Sequence, residues 1–302
     1  MRAFRILLAV ASVVPVACST TGQPAAPAAG TNPPAANCSP TQSAGAGPIS
    51  DPSGPYYHQV VLAQTANGTT LTGAHQVLDH ASVPDGVRRA DGTVLVYYVN
   101  GAAGAVWVAR IEGDSARPLS AISLDGVSAP AGVVDPDALL LADGRVRLTY
   151  LSGFGGPGAA NPRAMCIADS DDGVRFTVRG AAITFASGEL ITDPSIVRLA
   201  DGTWLMAMSL GQQTVMARSA DGLTFAREAT LSFGGVPELA IAPDGAVRLY
   251  VCAQGIVAYR STDAGRNWAR ETTVIGPGFN GKPIVCDPSL VAGAGMFIFK
   301  TG

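Results

Sequence analysis

The residues able to do chemistry are six acidic side chains, set in a short segment that the chain repeats five times. The copies are Val83-Pro84-Asp85, Asp135-Pro136-Asp137, Asp193-Pro194-Ser195, Val236-Pro237-Glu238 and Asp287-Pro288-Ser289. In each, proline separates two positions that share one face of an extended strand, because side chains there alternate with period two. If the copies are arranged radially, Asp85, Asp135, Asp137, Asp193, Glu238 and Asp287 converge on one axis. A ring of carboxylates at an axis is either a catalytic site or a cation site, and axial calcium, which takes oxygen ligands, is the ion to consider.

The elements around these segments decide whether they converge. Asp193-Pro194-Ser195 runs into Ile196-Val197-Arg198-Leu199, then Ala200-Asp201-Gly202, then Thr203 to Met208. That is strand, tight Asp-Gly turn, strand. The same pattern surrounds Asp91-Gly92, Asp143-Gly144 and Asp244-Gly245, with a degraded copy at Gly293-Ala294-Gly295. A repeat of about 50 residues with several short strands per copy predicts an all-β propeller. No stretch keeps a 3.6-residue apolar period, so few helices are expected. Five inner strands give five blades. The fifth has only two strands before Gly302, and Tyr57–Ala63 with Thr69–Val77 are the pair able to complete it, removing an open edge.

A third strand in three copies ends in Ser170-Asp171-Asp172-Gly173, Ser219-Ala220-Asp221-Gly222 and Ser261-Thr262-Asp263-Ala264-Gly265, each followed by Phe176, Phe225 or Trp268. These motifs resemble the Asp-boxes of sialidase-type propellers, with a degenerate copy at Ala66-Asn67-Gly68. Their Ser and Asp side chains bond turn backbone, a structural task, so Asp172, Asp221 and Asp263 are assigned no catalytic role. Sialidases have six blades and grip a carboxylate with three arginines, and no Arg stands in the repeated segments here. The Asp-Pro strand starts look closer to five-bladed arabinanase, xylosidase and fructosidase families, over roughly residues 55–302 in architecture. In those families an Asp base, an orienting Asp and a Glu acid come from three consecutive blades.

That resemblance implies Asp135 or Asp137 as base, Asp193 as the orienting group and Glu238 as acid. Glu238 departs from the pattern by following its proline rather than preceding it. Glycoside hydrolysis needs one protonated and one ionised carboxyl, and crowded carboxylates raise one another's pKa. A separation of about 6.5–9.5 Å between Glu238 and Asp135 or Asp137 is expected, implying inversion. Asp85 and Asp287 are assigned to substrate binding. So are Phe154 and Arg163, in a loop that shares the face where the inner strands begin; Trp107 reads as blade packing. The glycine-rich stretch Gly153–Gly158 lacks the Gly-Lys-Ser/Thr of a phosphate loop and reads as a flexible rim. His80 is expected near the axis, His58 and His75 on outer strands, with no metal triad. The leading function is a glycan hydrolase; its rival is a propeller that binds glycan or protein without turnover.

Composition sets the surroundings. The 302 residues carry a formal net charge of −3 and no basic run, which gives nucleic-acid binding no support. Arg2, Arg5 and the apolar run Ile6–Val16 make a secretion signal too short to span a bilayer as a mature helix. Ala17-Cys18 resembles a lipoprotein cleavage site, making Cys18 the lipidation candidate, although Pro15 stands where Leu is usual. Ordinary cleavage and secretion is the other reading. Residues 19–54, with no charge between Ser19 and Ser50, read as an Ala/Pro/Gly/Ser/Thr tether with a reach of about 30–35 Å. The expected product is a monomeric domain, residues 55–302, at a bacterial cell envelope, touching membrane only through its anchor. An exported chain permits disulfides. Cys252–Cys286 is the favoured pair, with Cys38 and Cys166 left unpaired because Cys38 falls in the tether.

Overall fold

The computed structural model describes residues 38–45, 47–51, 53–154, 163–186 and 188–302. The signal segment, Cys18, tether residues 19–37 and loop residues 155–162 lie outside the described residues. The strands form five sheets. Blade I is Ala81–Arg88, Val94–Asn100, Ala105–Glu112 and Ser115–Ala121. Blade II is Val133–Leu140, Val146–Ser152, Ala164–Ser170 and Arg175–Thr184. Blade III is Thr192–Arg198, Trp204–Leu210, Gln213–Ser219 and Ala226–Leu231. Blade IV is Pro237–Ile241, Val247–Cys252, Ile256–Ser261 and Ala269–Ile275. Blade V is Val285–Val291 and Met296–Thr301, completed by Gln59–Thr65 and Leu71–Asp79. The first strands of successive blades touch in a closed cycle, and blade V returns to blade I. The fold is a five-bladed β-propeller.

Burial follows distance from the axis. The second strand of blade I, VLVYYVN, is buried at every position but the last, because neighbouring blades cover both its faces. The fourth strand of blade III, AREATL, is almost wholly exposed. Five hydrophobic clusters fill the five wedges between blades, built around Tyr97 and Tyr150, Met206 and Met208, Leu205 and Leu249, Tyr250 and Phe297, and Tyr98 and Ile298.

Closure takes the form expected from the missing strands. Val60 pairs with Lys300 and Leu62 with Ile298, antiparallel. Deletion through Val77 is therefore expected to abolish the cooperative thermal melt of the soluble domain, because it opens blade V and bares Ile298, Phe297 and Phe299. An unchanged melt would overturn the closure.

Turns on the face opposite the inner-strand starts lock neighbouring blades. In blade II the Asp172 carboxylate accepts from the Val174 and Arg175 N–H groups at 2.8 Å, and Ser170 Oγ accepts from Gly173 N–H at 2.8 Å. Ser219 with Asp221, and Ser261 with Asp263, repeat this. Thr65 and Asn67 do the same in blade V. Gly222, at φ +72°, leaves no room for a Cβ, which would stand 2.5 Å from the Trp204 ring. Each turn also docks on the blade before it: Tyr97 donates to Gly173 O, Arg147 to Gly222 O and Tyr250 to Gly68 O.

Two features depart from expectation. A hairpin of Ser123–Leu124 and Val127–Ser128 extends blade II to six strands. More important, Cys38 is buried and disulfide-bonded to Cys166. The Cys38 carbonyl accepts from Tyr150, Ser39 donates to Asp125, and Ile49 N–H donates to Gly101 O. Residues 38–45 and 47–51, expected as tether, are held against blades I and II, and the expectation of free thiols at Cys38 and Cys166 is corrected. Cys252 and Cys286 are bridged as favoured.

Candidate functional site

Two stacked rings of side chains surround the axis. The residues before each proline, Val83, Asp135, Asp193, Val236 and Asp287, form the upper ring, where the inner strands begin. The residues after it, Asp85, Asp137, Ser195, Glu238 and Ser289, form the lower ring. Upper and lower residues together line an axial cavity of about 20 Å³, room for about one water.

The upper ring is strained at four places. Val83, Asp135, Asp193 and Asp287 have φ between +48° and +53°. The left-handed region is unfavourable for non-glycine residues and most of all for β-branched valine. A following proline further restricts each one. Strand pairing slips at the same four places. Blade IV instead places Gly235 at φ +130° ahead of Val236, and its pairing runs without a slip. Strain repeated at equivalent positions persists only where the surroundings hold it, and such positions gather at functional sites.

The lower ring is a blade-to-blade staple. Asp85 accepts from Ala138 N–H at 2.5 Å, and Asp137 from Ile196 N–H at 3.3 Å. Ser195 Oγ accepts from Leu239 N–H at 2.9 Å, Glu238 Oε1 from Leu290 N–H at 3.2 Å, and Ser289 Oγ from Gly86 N–H at 3.0 Å. Every blade thus holds the next through the residue after its proline, and the cycle closes. Serine does this as well as carboxylate does, so the task needs an acceptor and not a charge. Glu238 Oε2 also accepts from Ser195 Oγ at 2.8 Å.

The upper ring is stapled less completely. Asp135 accepts from Asp193 N–H at 3.3 Å and Asp287 from Val83 N–H at 3.1 Å. Lys300 Nζ lies 2.7 Å from Asp287 Oδ2, while Asp287 Oδ1 is buried without a partner. Asp193 keeps partial exposure, whereas Asp135 and Asp287 are buried. The Cys252–Cys286 bridge joins blades IV and V at this level, beside Asp287 and Val236.

Burial raises the carboxyl pKa values throughout. It pushes Asp85 and Asp193 up to about 6, Asp193 also being repelled by Asp287. Asp135, Asp137 and Glu238 are raised well above the usual range by burial and then by neighbouring carboxylates. Between pH 4 and about 6 the folded protein keeps protons that the unfolded chain has released, so stability falls as pH rises through that window. On the acid side, Asp221 is held down to about 2 by the N–H groups of its turn, and its contribution is lost only as pH falls toward that value. Thermal melts from pH 3.5 to 8 are expected to peak near pH 4–5, below the common range of about 5–8. A midpoint that rises steadily to pH 7 would contradict it.

The structure brings together all six acidic residues singled out in the sequence and sorts them by depth. Glu238 belongs to the lower ring, with both oxygens hydrogen-bonded. One oxygen each of Asp85, Asp137 and Glu238 lie within 4.8 Å of one another. For the pair Asp137 and Glu238 this is closer than the expected 6.5–9.5 Å. Arg163 donates to the carbonyls of Glu189 and Ile191, leaves Nε unpartnered and lowers the pKa of Asp193, so it stands beside the upper ring. Phe154 is exposed, its N–H bonded to Gly132 O. Trp107 packs in the wedge between blades V and I. His80 lies away from the axis, stacked on Tyr56 at 4.0 Å. His58 lies nearer the axis, beside Lys300 and Asp287. It is buried, bonded to Ser82 Oγ, and its pKa is lowered by burial and by Lys300. Lys300 and His58 are the residues that sequence reasoning missed. That Lys300 is one of two lysines in an arginine-rich chain was the only signal for either.

No protein-family model matches the chain, and no curated protein matches it. Solved structures do. A protein of unknown function from Dyadobacter fermentans is 17% identical over 80% of this chain and 83% of its own, with a TM-score of 0.55. An alpha-L-arabinofuranosidase from Clostridium thermocellum is 14% identical over 72% and 80%, with a TM-score of 0.53. A family 117 glycoside hydrolase from Zobellia galactanivorans is 13% identical over 82% and 91%, with a TM-score of 0.55. At such identities the likeness is one of fold: the chain is a five-bladed propeller whose structural neighbours include glycoside hydrolases.

Proposed function

We propose that this chain is an exported glycoside hydrolase-type propeller, anchored through Cys18 and acting on a glycan at the upper ring, with Asp193 as proton donor and Asp287 as anionic partner. The observation that carries the reading is the upper ring: three carboxyls at strained strand starts, one partly exposed and pushed to about 6, one ion-paired with Lys300 at 2.7 Å. A proton donor beside an anion is what glycoside hydrolysis requires. Asp135 fixes the start of blade III through the Asp193 N–H, and Arg163 flanks the donor. Phe154, exposed on the same face, suits stacking against a sugar. The four stapled turns act as Asp-boxes and hold blades, not substrate.

The assignment moves the acid away from Glu238. The resembling five-bladed families place their acid ahead of the proline in this column, and here that position is Val236. Glu238 sits one ring lower with both oxygens occupied, where it cannot reach a glycosidic oxygen. Val236 is also the observation that favours the second reading, a propeller that binds glycan without turnover. Axial calcium fits the lower ring poorly, since that ion takes six to eight oxygens and Asp85, Asp137 and Glu238 bring only one each together.

The test is a glycan hydrolysis screen of the soluble domain beside its Asp193→Asn variant, with a glycan-binding array in parallel. Release of sugar by the native protein alone supports hydrolysis. Retained binding by both proteins with no release selects the binding module.

A further inference from the structure

The lower ring has a second approach. Beneath it, on the face of the Asp-Gly turns, a cavity of about 600 Å³ reaches up the axis to Asp85, Asp137 and Glu238. None of the upper-ring residues lines it. Its wall is apolar, with Val87, Leu139, Val197, Leu239 and Ile241, and Ile241 is 44% exposed there. Trp204 lies on the same wall. The mouth carries both signs, Arg88 and Arg198 against Asp143 and Asp221, while Arg147 is tied to Asp169 at 2.8 Å. Preference for charge is therefore set at the closed end.

That end has an unmet requirement. Asp137 is 5% exposed, and its Oδ2 has no partner at full hydrogen-bond geometry; the Thr149 hydroxyl, opposite it in the strand pair, supplies at most a loose contact. A buried carboxylate oxygen left unpaired is costly, so the site calls for a donor. Three carboxylates present one oxygen each within 4.8 Å of the others. A primary ammonium carries three N–H donors, and partners at about 2.9 Å around a tetrahedral nitrogen stand about 4.7 Å apart. Three oxygens inside that limit can share one ammonium, and an apolar shaft beyond the carboxylates matches a hydrocarbon body.

We propose that this lower cavity is a binding site, separate from the upper ring, for a primary amine with an apolar body, its ammonium seated on Asp85, Asp137 and Glu238. Burial raises the pKa of all three carboxyls, Asp85 up to about 6, and a bound ammonium, being a cation, favours their ionised form.

The probe is n-hexylammonium, titrated calorimetrically into the disulfide-intact soluble domain, with Trp204 fluorescence as second readout. One-to-one binding is expected, at least tenfold tighter than n-hexanol. Asp137→Asn and Ile241→Arg should each weaken it tenfold or more, while Asp193→Asn leaves it unchanged. The last variant separates this site from the proposed hydrolase, since it removes turnover and not amine binding. Hexanol binding as tightly as the amine, indifference to Ile241→Arg, or no binding at about 10 mM, an affinity weaker than about −2.7 kcal/mol, overturns the proposal. Should Asp137→Asn fail to fold, Ile241→Arg, at an exposed position, decides alone.

Discussion

Asp193→Asn is expected to lower glycan turnover by about 10²–10⁴-fold, the range for loss of a positioned acid or base, with the fold intact. Asn keeps the size of Asp and removes a carboxyl that burial had made costly, so the melting midpoint should hold or rise at pH 7. Asp287→Asn should lose turnover comparably, because it removes the anion opposite the donor while its amide oxygen still accepts from Val83 N–H. The pH profile separates these roles from simple damage. A donor with a pKa of about 6 loses its proton above that value, so turnover in the native protein should fall on the alkaline side, and any residual activity in Asp193→Asn should lack that limb. Glu238→Gln is the counter-case. Gln still accepts from Leu290 N–H, so turnover should stay within about tenfold, whereas Glu238→Ala strands that N–H and should cost about 1–3 kcal/mol. Loss of activity in Glu238→Gln with a full alkaline limb in Asp193→Asn would reverse the assignment.

The rings show where sequence reading stops. Period-two alternation puts Asp135 and Asp137 on one face, and so it cannot say which one meets a ligand and which one a backbone amide. Depth along the axis comes from the partner blade: Asp137 is occupied because Ile196 N–H, one blade away, needs an acceptor. The blades themselves were legible, since Asp-Gly turns and Ser-x-Asp-Gly motifs act within a few residues. Closure was legible too, from two strands missing at one end and two unclaimed at the other. Lys300 and His58 were not, because both reach the axis only through the register in which Val60 meets Lys300. Composition misled at the tether: an uncharged Ala/Pro/Ser stretch lacks a core of its own, but one cysteine can join it to a core already formed.

That junction carries the largest effect on stability expected of a single substitution. Cys38→Ser should lower the unfolding free energy of the disulfide-intact domain by about 3–5 kcal/mol, measured by urea denaturation without reductant. The bond closes a separation of 128 residues, against 34 for Cys252–Cys286, and chain-entropy reasoning favours the longer loop. It also fastens Cys38 into the wedge of Tyr97, Tyr150 and Cys166, where Tyr150 would lose its acceptor if the segment left. Cys166→Ala should cost a similar amount, and the double variant little more than either alone, since one bond is lost in all three. Truncation after residue 37 should leave stability unchanged; truncation to residue 50 should match Cys38→Ser or exceed it, because Ser39 and Ser43 leave with the cysteine. A truncation to residue 50 as stable as the longer domain would mean that the segment rests on the propeller without supporting it. The tether would then end where composition alone had placed its end, near residue 54.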